Sequence, residues 1–390
     1  MYTYKPKAAL IAIKVWAKKG SIEPDTLQQI ENLASLPFAY HHAALMPDGH
    51  TGYGMPIGGV VATVDHVIPN AVGVDIGCGM LAVKTSLTSI QKETLKHLLG
   101  YIRQTIPVGF KHNKKRQNDN LMPKKDSGFH YPNVSREYES ALYQLGTLGG
   151  GNHFIEIQKG SDNHIWFMIH SGSRNIGYKV AGHYNNLAKK LSNKFKHKIP
   201  PSWDVAYLPV NTDEAISYLK EMQFCLEFAL ANRKLMAEKI KYIFKDITHC
   251  SFEDEINIHH NYANLETHFG KKVYVHRKGA TSAKNGELGI IPGSQGSPSY
   301  IVRGLGNAES FTSCAHGAGR KMSRHKARKC LDLEKEKQRL AEKGILHSIR
   351  TQRDLDEATS AYKDIEDVMR EQTDLVEIVV RLEPLAVIKG

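Results

Sequence analysis

The pattern of apolar residues changes repeatedly along the chain, and the changes predict a mixture of strands and helices. Short runs that are β-branched, alternating or continuously apolar predict strands at residues 58–64, 81–85, 153–157, 165–169, 273–275 and 301–303. Apolar residues at helical spacing or strongly polar helix-forming runs predict helices at residues 23–34, 89–104, 135–145, 213–245 and 323–343. A further helical stretch and a strand, VEIVVRLEPLAVIKG, follow the last of these helices.

The longest helical segment covers residues 213–245, and Thr212 is its candidate cap. Leucine, phenylalanine and methionine recur there at helical spacing, which is typical of a helix buried in a core, so we assign it no chemistry. The glycine-rich stretch 277–300 is expected to form loops. No internal repeat, coiled coil or low-complexity linker interrupts the pattern.

The charge of the chain indicates an anionic partner. The formal net charge is +12 and the pI is near 9.2, which favours nucleic acid over a membrane. Because 40 acidic residues are also present, the positive excess is expected in patches. One patch is KHNKKRQNDNLMPKK, part of a basic surface insertion at about residues 111–128. A solvated charged loop explains this run as well as a nucleic-acid contact does.

Length, the first residues and the cysteines narrow the class of protein further. A chain of 390 residues can bury a large core, which favours two domains without excluding one. The first apolar run is broken by Lys14 and lacks a cleavage signature, so we expect neither a signal peptide nor a membrane span, and a cytoplasmic location. Five scattered cysteines indicate reduced thiols rather than a disulfide framework.

The stretch MPDGHTGYGMPIGGVVATVDHVIPNAVGVDIGCGM, residues 46–80, concentrates glycines and potential ligands around one short strand. Asp75 and Cys78 lie three residues apart among glycines, so one tight turn can direct a carboxylate and a thiolate at a single ion. A hard oxygen with a soft sulfur suits a borderline divalent cation. The alternative is a glycine-rich turn with a small buried cysteine.

Three histidines occur in settings that suit ligand presentation: His153 after GGGN, His170 at a strand end, and His260 in NIHHNYA. Taken singly, each histidine is more simply explained as a hydrogen-bonded polar residue than as a ligand. Together with Asp75 and Cys78 they form a set that suits Mn²⁺, Zn²⁺ or Fe²⁺ better than Mg²⁺ or Ca²⁺. Neighbouring side chains on extended backbone point to opposite sides, so we expect only one residue of the HH pair in the site, and choose His260.

Two glycine-rich loops, IPGSQGSPSY and HGAGR, suit phosphate binding because their backbone amides can converge on an anion. Ser294, Ser299 and Arg320 add further donors. Neither loop matches the Walker pattern, which disfavours a P-loop nucleotidase. His316 lies between small residues in the second loop, as a covalent histidine nucleophile would need to, although a loop histidine bonded to backbone is the simpler alternative.

At this level of detail the sequence resembles the RtcB-type RNA ligases. The resemblance extends over nearly the whole chain and is carried by MPDGHTGYGMPIGG, GVDIGCGM, LGGGNHFIE, HSGSRNIG, HHNYA, RKGATSA, IPGSQG, SCAHGAGR, AYKDI and IKG. Members of that family join RNA 3′-phosphate or 2′,3′-cyclic phosphate ends to 5′-hydroxyl ends with GTP and Mn²⁺. The resemblance implies a mixed α/β (α+β) fold, with β-sheets flanked by helices in a single RtcB-like catalytic domain over residues 1–390.

The resemblance also assigns roles to residues. It implies one metal ion at Asp75, Cys78 and His153, and a second at Cys78, His170 and His260, with the cysteine bridging. It implies that His316 carries the guanylate. The implied guanine-nucleotide contacts are Asn152, His153, Phe154, Glu156, His260, Asn261, Pro292, Gly293, Ser294, Gln295, Ser299, His316, Gly317, Ala318, Gly319, Tyr362 and Lys389. Gln295 replaces an expected methionine and Pro298 interrupts the same loop, which leaves the contacts there less defined.

The mechanism implied by the family begins with attack of His316 on the α-phosphorus of GTP. GMP then passes to the RNA 3′-phosphate, and the 5′-hydroxyl attacks that activated end. We choose Arg174 as a residue that grips an RNA phosphate, because a guanidinium can bind one bidentately. The expected protein is a monomer that acts in RNA repair or tRNA splicing, and the sequence leaves its RNA substrate and any activating protein partner open.

Two other functions fit parts of the pattern. A dinuclear metal phosphodiesterase would use the same metal ligands without a nucleotide, so labelling of His316 by GTP would separate it from a ligase. A non-catalytic RNA-binding protein would keep the basic patches but would have no use for a five-ligand metal set.

Overall fold

The computed structural model describes residues 1–390, which form two large sheets with helices packed around them. The strands are β1 Tyr2–Tyr4, β2 Ala12–Val15, β3 Ala39–His50, β4 Ile57–Thr63, β5 His66–Val67, β6 Gly79–Thr85, β7 Phe154–Gly160, β8 Ile165–Ser171, β9 Leu208–Pro209, β10 Phe252–His259, β11 Asn261–His268, β12 Lys271–Lys278, β13 Ala280–Ser282, β14 Leu288–Ile291, β15 Ser299–Gly304, β16 Ser313–Ala315 and β17 Val376–Lys389. The helices are α1 Pro24–Ala34, α2 Pro69–Val72, α3 Lys92–Thr105, α4 Pro132–Gln144, α5 Arg174–Leu191, α6 Asp213–Thr248, α7 Arg324–Cys330, α8 Leu333–Glu342 and α9 Ile365–Arg370.

The first sheet has six strands in the order β1-β2-β3-β4-β12-β11, and the second has seven in the order β10-β6-β8-β7-β17-β15-β14. Every neighbouring pair in both sheets is antiparallel except β2 and β3. Strands β10 and β11 belong to different sheets and are separated by His260 alone. The two sheets are therefore joined at this residue.

Apolar residues of the seven-stranded sheet alternate between two cores, as expected for strands buried on both faces. On one face, Leu81 and Val83 pack with buried residues of helices α3 and α6. On the other face, Met80 and Ala82 pack with residues of β8, β10, β14, β15 and β17. Such double burial fixes the strand register, because a slip of one residue would exchange the two faces.

That register brings the ends of four strands together. Met80 of β6 pairs with His170 of β8, and His170 also pairs with Phe154 of β7. Gly79 pairs with His259 of β10. A Cβ atom on Gly79 would lie 2.0 Å from the carbonyl oxygen of Ile258, so glycine is required for β10 to approach here. As a result, Cys78, His153, His170 and His260 all lie at one edge of the sheet.

The predicted α+β class, with sheets flanked by helices, is confirmed. Predicted strands and helices correspond closely to β4, β6, β7, β8, β12, β15, α1, α3, α4 and α6. Thr212 caps α6 as predicted, because its side chain accepts a hydrogen bond from the Ala215 amide. None of the five cysteines forms a disulfide. No helix combines the length and the apolar character that spanning a membrane requires.

Several local predictions are wrong. The single helix predicted at 323–343 is two helices, because the Asp332 side chain accepts bonds from the Glu334 and Lys335 amides and starts a new one. Helix α5 was not predicted, and β13 and β14 lie in a stretch expected to be loops. Strand β3, Ala39–His50, was not predicted, and helix α3 begins at Lys92 rather than at residue 89.

Candidate active site

The thiol of Cys78 lies at the centre of a group of buried side chains. Its Sγ atom is 3.5 Å from Nε2 of His153 and 3.3 Å from Nε2 of His170. Nε2 of His153 is also 3.1 Å from Oδ2 of Asp75, and Nε2 of His170 is 3.4 Å from Nε2 of His260. The five predicted metal ligands are thus brought into one cluster, although they come from four separate segments of the chain.

Hydrogen bonds to the backbone orient two of these imidazoles. Nδ1 of His153 donates to the carbonyl oxygen of Leu148 at 2.9 Å, and Nδ1 of His170 donates to that of Asn152 at 3.1 Å. Since each proton is on Nδ1, each Nε2 lone pair is free and faces the cluster. This is the arrangement by which proteins hold histidine ligands of metal ions.

The cluster divides into two groups of potential ligands that share Cys78. Asp75, Cys78 and His153 form one group, and Cys78, His170 and His260 form the other; within each group the ligand atoms lie within 4.8 Å of one another. The Nδ1 atom of His260 is buried and has no hydrogen-bond partner, which is unfavourable in a site without a cation. The residues present therefore fit divalent cations with nitrogen and sulfur ligands.

Burial controls the protonation of this cluster. It raises the pKa of the Cys78 thiol well above its usual value, and the negative charge of Asp75 raises it further. It lowers the pKa values of His170 and His260 well below theirs. Neutral imidazoles are the form that binds metal ions, and binding of a cation would displace the thiol proton.

Helix α6 supports the cluster through two side chains to which we assigned no chemistry. Nη1 of Arg233, which is fully buried, donates to the carbonyl oxygens of Gly77 and Ser171. Its Nε and Nη2 contact Asn257 and His259 of β10. One guanidinium therefore links all three strand ends that carry Cys78, His170 and His260.

The neighbouring Asn232 fixes the glycine loop on the other side of the cluster. Its side-chain oxygen accepts bonds from the amides of Gly146 and Thr147, and its nitrogen donates to Ser171 and Gly172. One signal in the sequence could have indicated this role. Asn and Arg are adjacent inside the predicted buried helix, and buried polar side chains need hydrogen-bond partners.

His316 lies beside the cluster, with its ring centroid 4.8 Å from that of His260. Its Nδ1 donates to Oδ2 of Asp48 at 2.6 Å, and its backbone amide donates to the same oxygen at 3.2 Å. The Asp48 side chain is fully buried on β3. A Cβ atom on Gly319 would lie 2.2 Å from the Asp48 carbonyl oxygen, so this loop approaches β3 only as glycine.

The carboxylate of Asp48 fixes both the orientation and the tautomer of His316. With the proton held on Nδ1, the Nε2 lone pair is free on the side of the cleft. Lys363 supplies positive charge nearby, because its Nζ donates to the carbonyl oxygens of Pro47 and Gly49 on either side of Asp48. The pairing of Asp48 with His316 was not predicted from the sequence, because it joins residues far apart in the chain.

A single cleft contains His316, part of the metal-ligand cluster and most of the predicted nucleotide contacts. The predicted contacts that line it are Asn152, Phe154, Glu156, His260, Asn261, Pro292, Gly293, Ser294, Gln295, His316, Gly317, Ala318, Gly319, Tyr362 and Lys389. His153 lies in the cluster but not on the cleft wall, and Ser299 accepts a bond from the Gly293 amide behind the wall. The lining also includes His50, Ile57, Gly279, Arg320, Arg324 and Glu357.

Charged groups at one end of the cleft are paired with one another. Glu357, almost fully buried, forms ion pairs with Arg320 and Arg324 and accepts a hydrogen bond from the Tyr362 hydroxyl. Burial raises the pKa of Glu156 to about 8, so its carboxyl group holds a proton at neutral pH. Lys389 lies near both carboxyl groups, and burial lowers its pKa. This end of the cleft therefore combines a protonated carboxyl group, an ammonium and guanidinium groups.

Arg174 is placed behind the glycine loop rather than on the cleft wall. Its Nε donates to Oγ1 of Thr147 and its Nη2 to the carbonyl oxygen of Gly109, both at 3.2 Å. Its positive charge acts on the half-buried Asp75 carboxylate, where it contributes, after the hydrogen bond and charge of His153, to lowering the pKa against the effect of burial. A contact of Arg174 with RNA remains a prediction.

Comparison with known proteins matches this combination of fold and site. The family model described as "tRNA-splicing ligase RtcB" matches residues 29–390. The chain is 40% identical over 405 residues to the RNA-splicing ligase RtcB of Escherichia coli strain K12, with 97% of each chain covered. It is 35% identical over 459 residues to the tRNA-splicing ligase RtcB of Nanoarchaeum equitans, covering 97% of this chain and 95% of the relative.

A third relative, the tRNA-splicing ligase RtcB of Thermococcus kodakarensis, is 31% identical over 440 residues, covering 94% of this chain and 91% of the relative. By class, then, the protein defined by this fold and site is a ligase. More specifically, the chain belongs to the RtcB family of tRNA-splicing ligases. The family resemblance inferred from the sequence motifs is confirmed.

Proposed function

We propose that this protein joins RNA 3′-phosphate or 2′,3′-cyclic phosphate ends to 5′-hydroxyl ends, using GTP and two Mn²⁺ ions. The observation that carries the proposal is the position of His316. An imidazole oriented by a buried carboxylate lies directly beside a ligand cluster for two cations, in a cleft lined by glycine-rich loops. A metal phosphodiesterase would need the cluster but would form no covalent guanylate on this histidine.

The two metal ions would be held by Asp75, Cys78 and His153, and by Cys78, His170 and His260. When bound, the ions supply positive charge that neutralises phosphate oxygens and stabilises charge at the attacked phosphorus. The chain provides the geometry, because Leu148 and Asn152 orient two imidazoles through their carbonyl oxygens. Arg233 holds the strand ends that carry the ligands at a fixed spacing.

His316 would act as the nucleophile through Nε2. A bond forms between Nε2 and the α-phosphorus of GTP while the bond from that phosphorus to the leaving pyrophosphate breaks. The proton on Nδ1 stays in the hydrogen bond to Asp48, which stabilises the positive charge that develops on the ring. Asp48 therefore acts as the orienting partner of the nucleophile, as the third group of a catalytic triad does.

The two later steps return the enzyme to its starting state. An oxygen of the RNA 3′-phosphate attacks the guanylate phosphorus, and the bond to Nε2 of His316 breaks. The 5′-hydroxyl oxygen of the second RNA then attacks the 3′-phosphate phosphorus, and GMP leaves as the new phosphodiester forms. A cyclic phosphate end would first be opened by hydrolysis to a 3′-phosphate.

The nucleotide would occupy the cleft that the predicted contacts line. The loops at 292–295 and 317–319 would lie against the phosphates, because their glycines leave room for close approach. The protonated carboxyl group of Glu156, with Tyr362 and Lys389 near it, provides donors at the other end for the polar edge of a base. Ser299 would contribute to nucleotide binding by holding the amide of Gly293, and His153 would contribute as a metal ligand.

The cellular role follows from the family. The names of the relatives specify RNA splicing and tRNA splicing, so we propose a role for this protein in tRNA splicing or RNA repair in the cytoplasm. We further propose that residues 1–390 form one catalytic domain, with the basic insertion at about 111–128 on its surface, acting as a monomer. Arg174 would then bind an RNA phosphate only after exchanging its present bonds.

The direct test is incubation with GTP labelled at the α-phosphate, with and without Mn²⁺, followed by mass spectrometry of the intact chain and its peptides. We expect one covalent GMP on the peptide that contains His316, and joining of 3′-phosphate RNA to 5′-hydroxyl RNA in the same buffer. Metal-dependent cleavage of phosphodiesters without any labelling of the chain would instead indicate the phosphodiesterase.

We expect Asp48→Asn to lower the rate of guanylate formation by about 100-fold or more, because an amide nitrogen facing Nδ1 would favour the wrong tautomer of His316. Mn²⁺ binding should be retained, since Asp48 belongs to neither ligand group. Asp65→Asn, at an exposed turn with a φ of 54° that asparagine tolerates, is the matched control. Equal rates for Asp48→Asn and the control would refute the orienting role.

A further inference from the structure

A second cleft opens beside the proposed nucleotide cleft and shares two of its wall residues, Glu357 and Lys389. Arg103 of α3 and Arg350 line it, and so does Gly151, which lies two residues before His153 in the same loop. A molecule in this second cleft would therefore lie next to both the nucleotide cleft and one group of metal ligands. Nothing in the proposed mechanism so far uses it.

The carboxylates of this second cleft are already occupied. Glu357 is paired with Arg320 and Arg324, and Asp356 with Arg328. Oδ2 of Asp354 accepts bonds from two backbone amides and from the Thr351 hydroxyl. The carboxylates of the wall thus have partners of their own, although the charge of Arg350, after these hydrogen bonds, also helps to lower the pKa of Asp354 against the effect of burial.

The two arginines, in contrast, have no ion-pair partner. Nη2 of Arg103 donates only to the hydroxyl of Ser348, at 2.9 Å. Burial lowers the pKa of Arg103, and the nearby positive charge of Arg350 lowers it further. Two guanidinium groups that repel each other across a cleft are stabilised by a bound anion, and a phosphate matches their planar donor geometry.

An exposed aromatic ring follows directly in the sequence. Phe110 is completely exposed, two residues after Val108, which lines the second cleft. Its backbone position is fixed, because the amide of Gly109 donates to Gly149 at 2.8 Å and the Gly109 carbonyl accepts from Arg174. Three exposed lysines that form no ion pair, Lys111, Lys114 and Lys115, come next. At full exposure the Phe110 ring packs against nothing in the fold and is free to contact a ligand.

We propose that the second cleft and Phe110 form a binding surface for the single-stranded end of the RNA substrate. Arg103 and Arg350 would bind one backbone phosphate near the reacting end, and Phe110 would stack on an unpaired base. Cations that follow the backbone and an aromatic side chain that accepts any base are the combination used for sequence-independent binding of single strands. This inference rests on the proposed function, because it takes RNA as the substrate.

The test measures binding of a short single-stranded RNA with a 3′-phosphate and a 5′-fluorescein label, by anisotropy over a series of salt concentrations. Arg103→Gln with Arg350→Gln should make the log–log salt slope shallower by about 0.7, since the two arginines bind one phosphate and each phosphate contact contributes roughly 0.7. Lys272→Gln, an exposed lysine on β12 without an ion pair, is the control for loss of charge and should leave the slope near that of the wild type.

The aromatic contact has a different signature. Phe110→Ala and Phe110→Leu should each weaken binding by about 5-fold or more without changing the salt slope, because base stacking is lost but no charge is removed. Phe110→Trp should bind at least as well as the wild type. Tyr242→Ala, which removes another exposed ring on α6, should have no effect. The bases of a blunt RNA duplex are already stacked, so the Phe110 variants should bind such a duplex with the affinity of the wild type.

The surface as proposed needs both contacts, so wild-type affinity and slope in either the arginine pair or Phe110→Ala would overturn it. Wild-type binding by Phe110→Leu would also overturn it, since an apolar contact with a protein partner would then explain the ring better. Labelling of the chain by GTP, which needs no RNA, is measured on the same preparations. Absence of labelling in the wild type would refute the proposed function, and normal labelling with unchanged RNA binding would refute this surface alone.

Discussion

His316→Ala is expected to abolish formation of the covalent guanylate from GTP and to abolish ligation of RNA that ends in a 3′-phosphate. The variant should still bind two equivalents of Mn²⁺, because His316 belongs to neither group of metal ligands although its ring lies 4.8 Å from that of His260. Labelling by α-³²P GTP and metal analysis of the same preparation measure the two properties. His97→Ala, an exposed histidine of α3, is the control.

The same variant separates the steps of the reaction. Given a synthetic RNA whose 3′-phosphate already carries GMP, His316→Ala should seal it to a 5′-hydroxyl end, because the leaving group is in place. His170→Ala should be impaired on both substrates. If His316→Ala binds metal and RNA normally but cannot seal the activated end, then His316 also acts in the last step; if it accepts GTP normally, it is not the nucleophile.

Cys78→Ser is expected to lower the affinity for both metal ions. The Sγ atom is common to the two ligand groups, and a hydroxyl does not replace the charge of a thiolate. Loss of residues that merely orient ligands costs 10- to 100-fold in metal affinity, so loss of a shared ligand should cost at least about 100-fold for each ion. Metal content after gel filtration and titration with Mn²⁺ measure the effect.

Two further variants make this result specific. His170→Ala should affect mainly the ion held with His260, leaving about one equivalent bound. Cys225→Ser changes another buried thiol, in α6 and outside both ligand groups, and should keep both ions. Retention of two equivalents by Cys78→Ser at wild-type affinity would show that the thiolate does not bridge.

The ligand cluster could be predicted from the sequence to the extent that local patterns carried it. Glycines on either side of Asp75 and Cys78 indicated a tight turn, and the HH pair indicated that only one of its members could face the site. The structure agrees on the second point, because His260 lies in the cluster while His259 contacts Gly77 and Arg233. Both inferences need only the geometry of a few neighbouring residues.

Partners that meet only after folding could not be predicted in this way. Asp48 and His316 are held together by the packing of β3 against the loop after β16, and no periodicity reports such a contact. The supporting role of Arg233 was not predicted, because the apolar pattern of its helix indicates only that the helix is buried. Helix α5 was missed although Ile176, Val180 and Tyr184 recur at helical spacing, because two glycines interrupt the pattern.

The division of the cleft between the two sheets has a consequence for thermal stability. His50 and Ile57 belong to the six-stranded sheet, whereas Phe154, Glu156 and Lys389 belong to the seven-stranded sheet, and all of them face the same cleft. A nucleotide bound there would clamp the sheets together and favour the folded state by mass action, by about 2.7 kcal/mol at a concentration 100 times its Kd. The melting temperature of this protein should therefore rise with GTP concentration. The concentration of the nucleotide would then determine the stability of the protein as well as its rate of reaction.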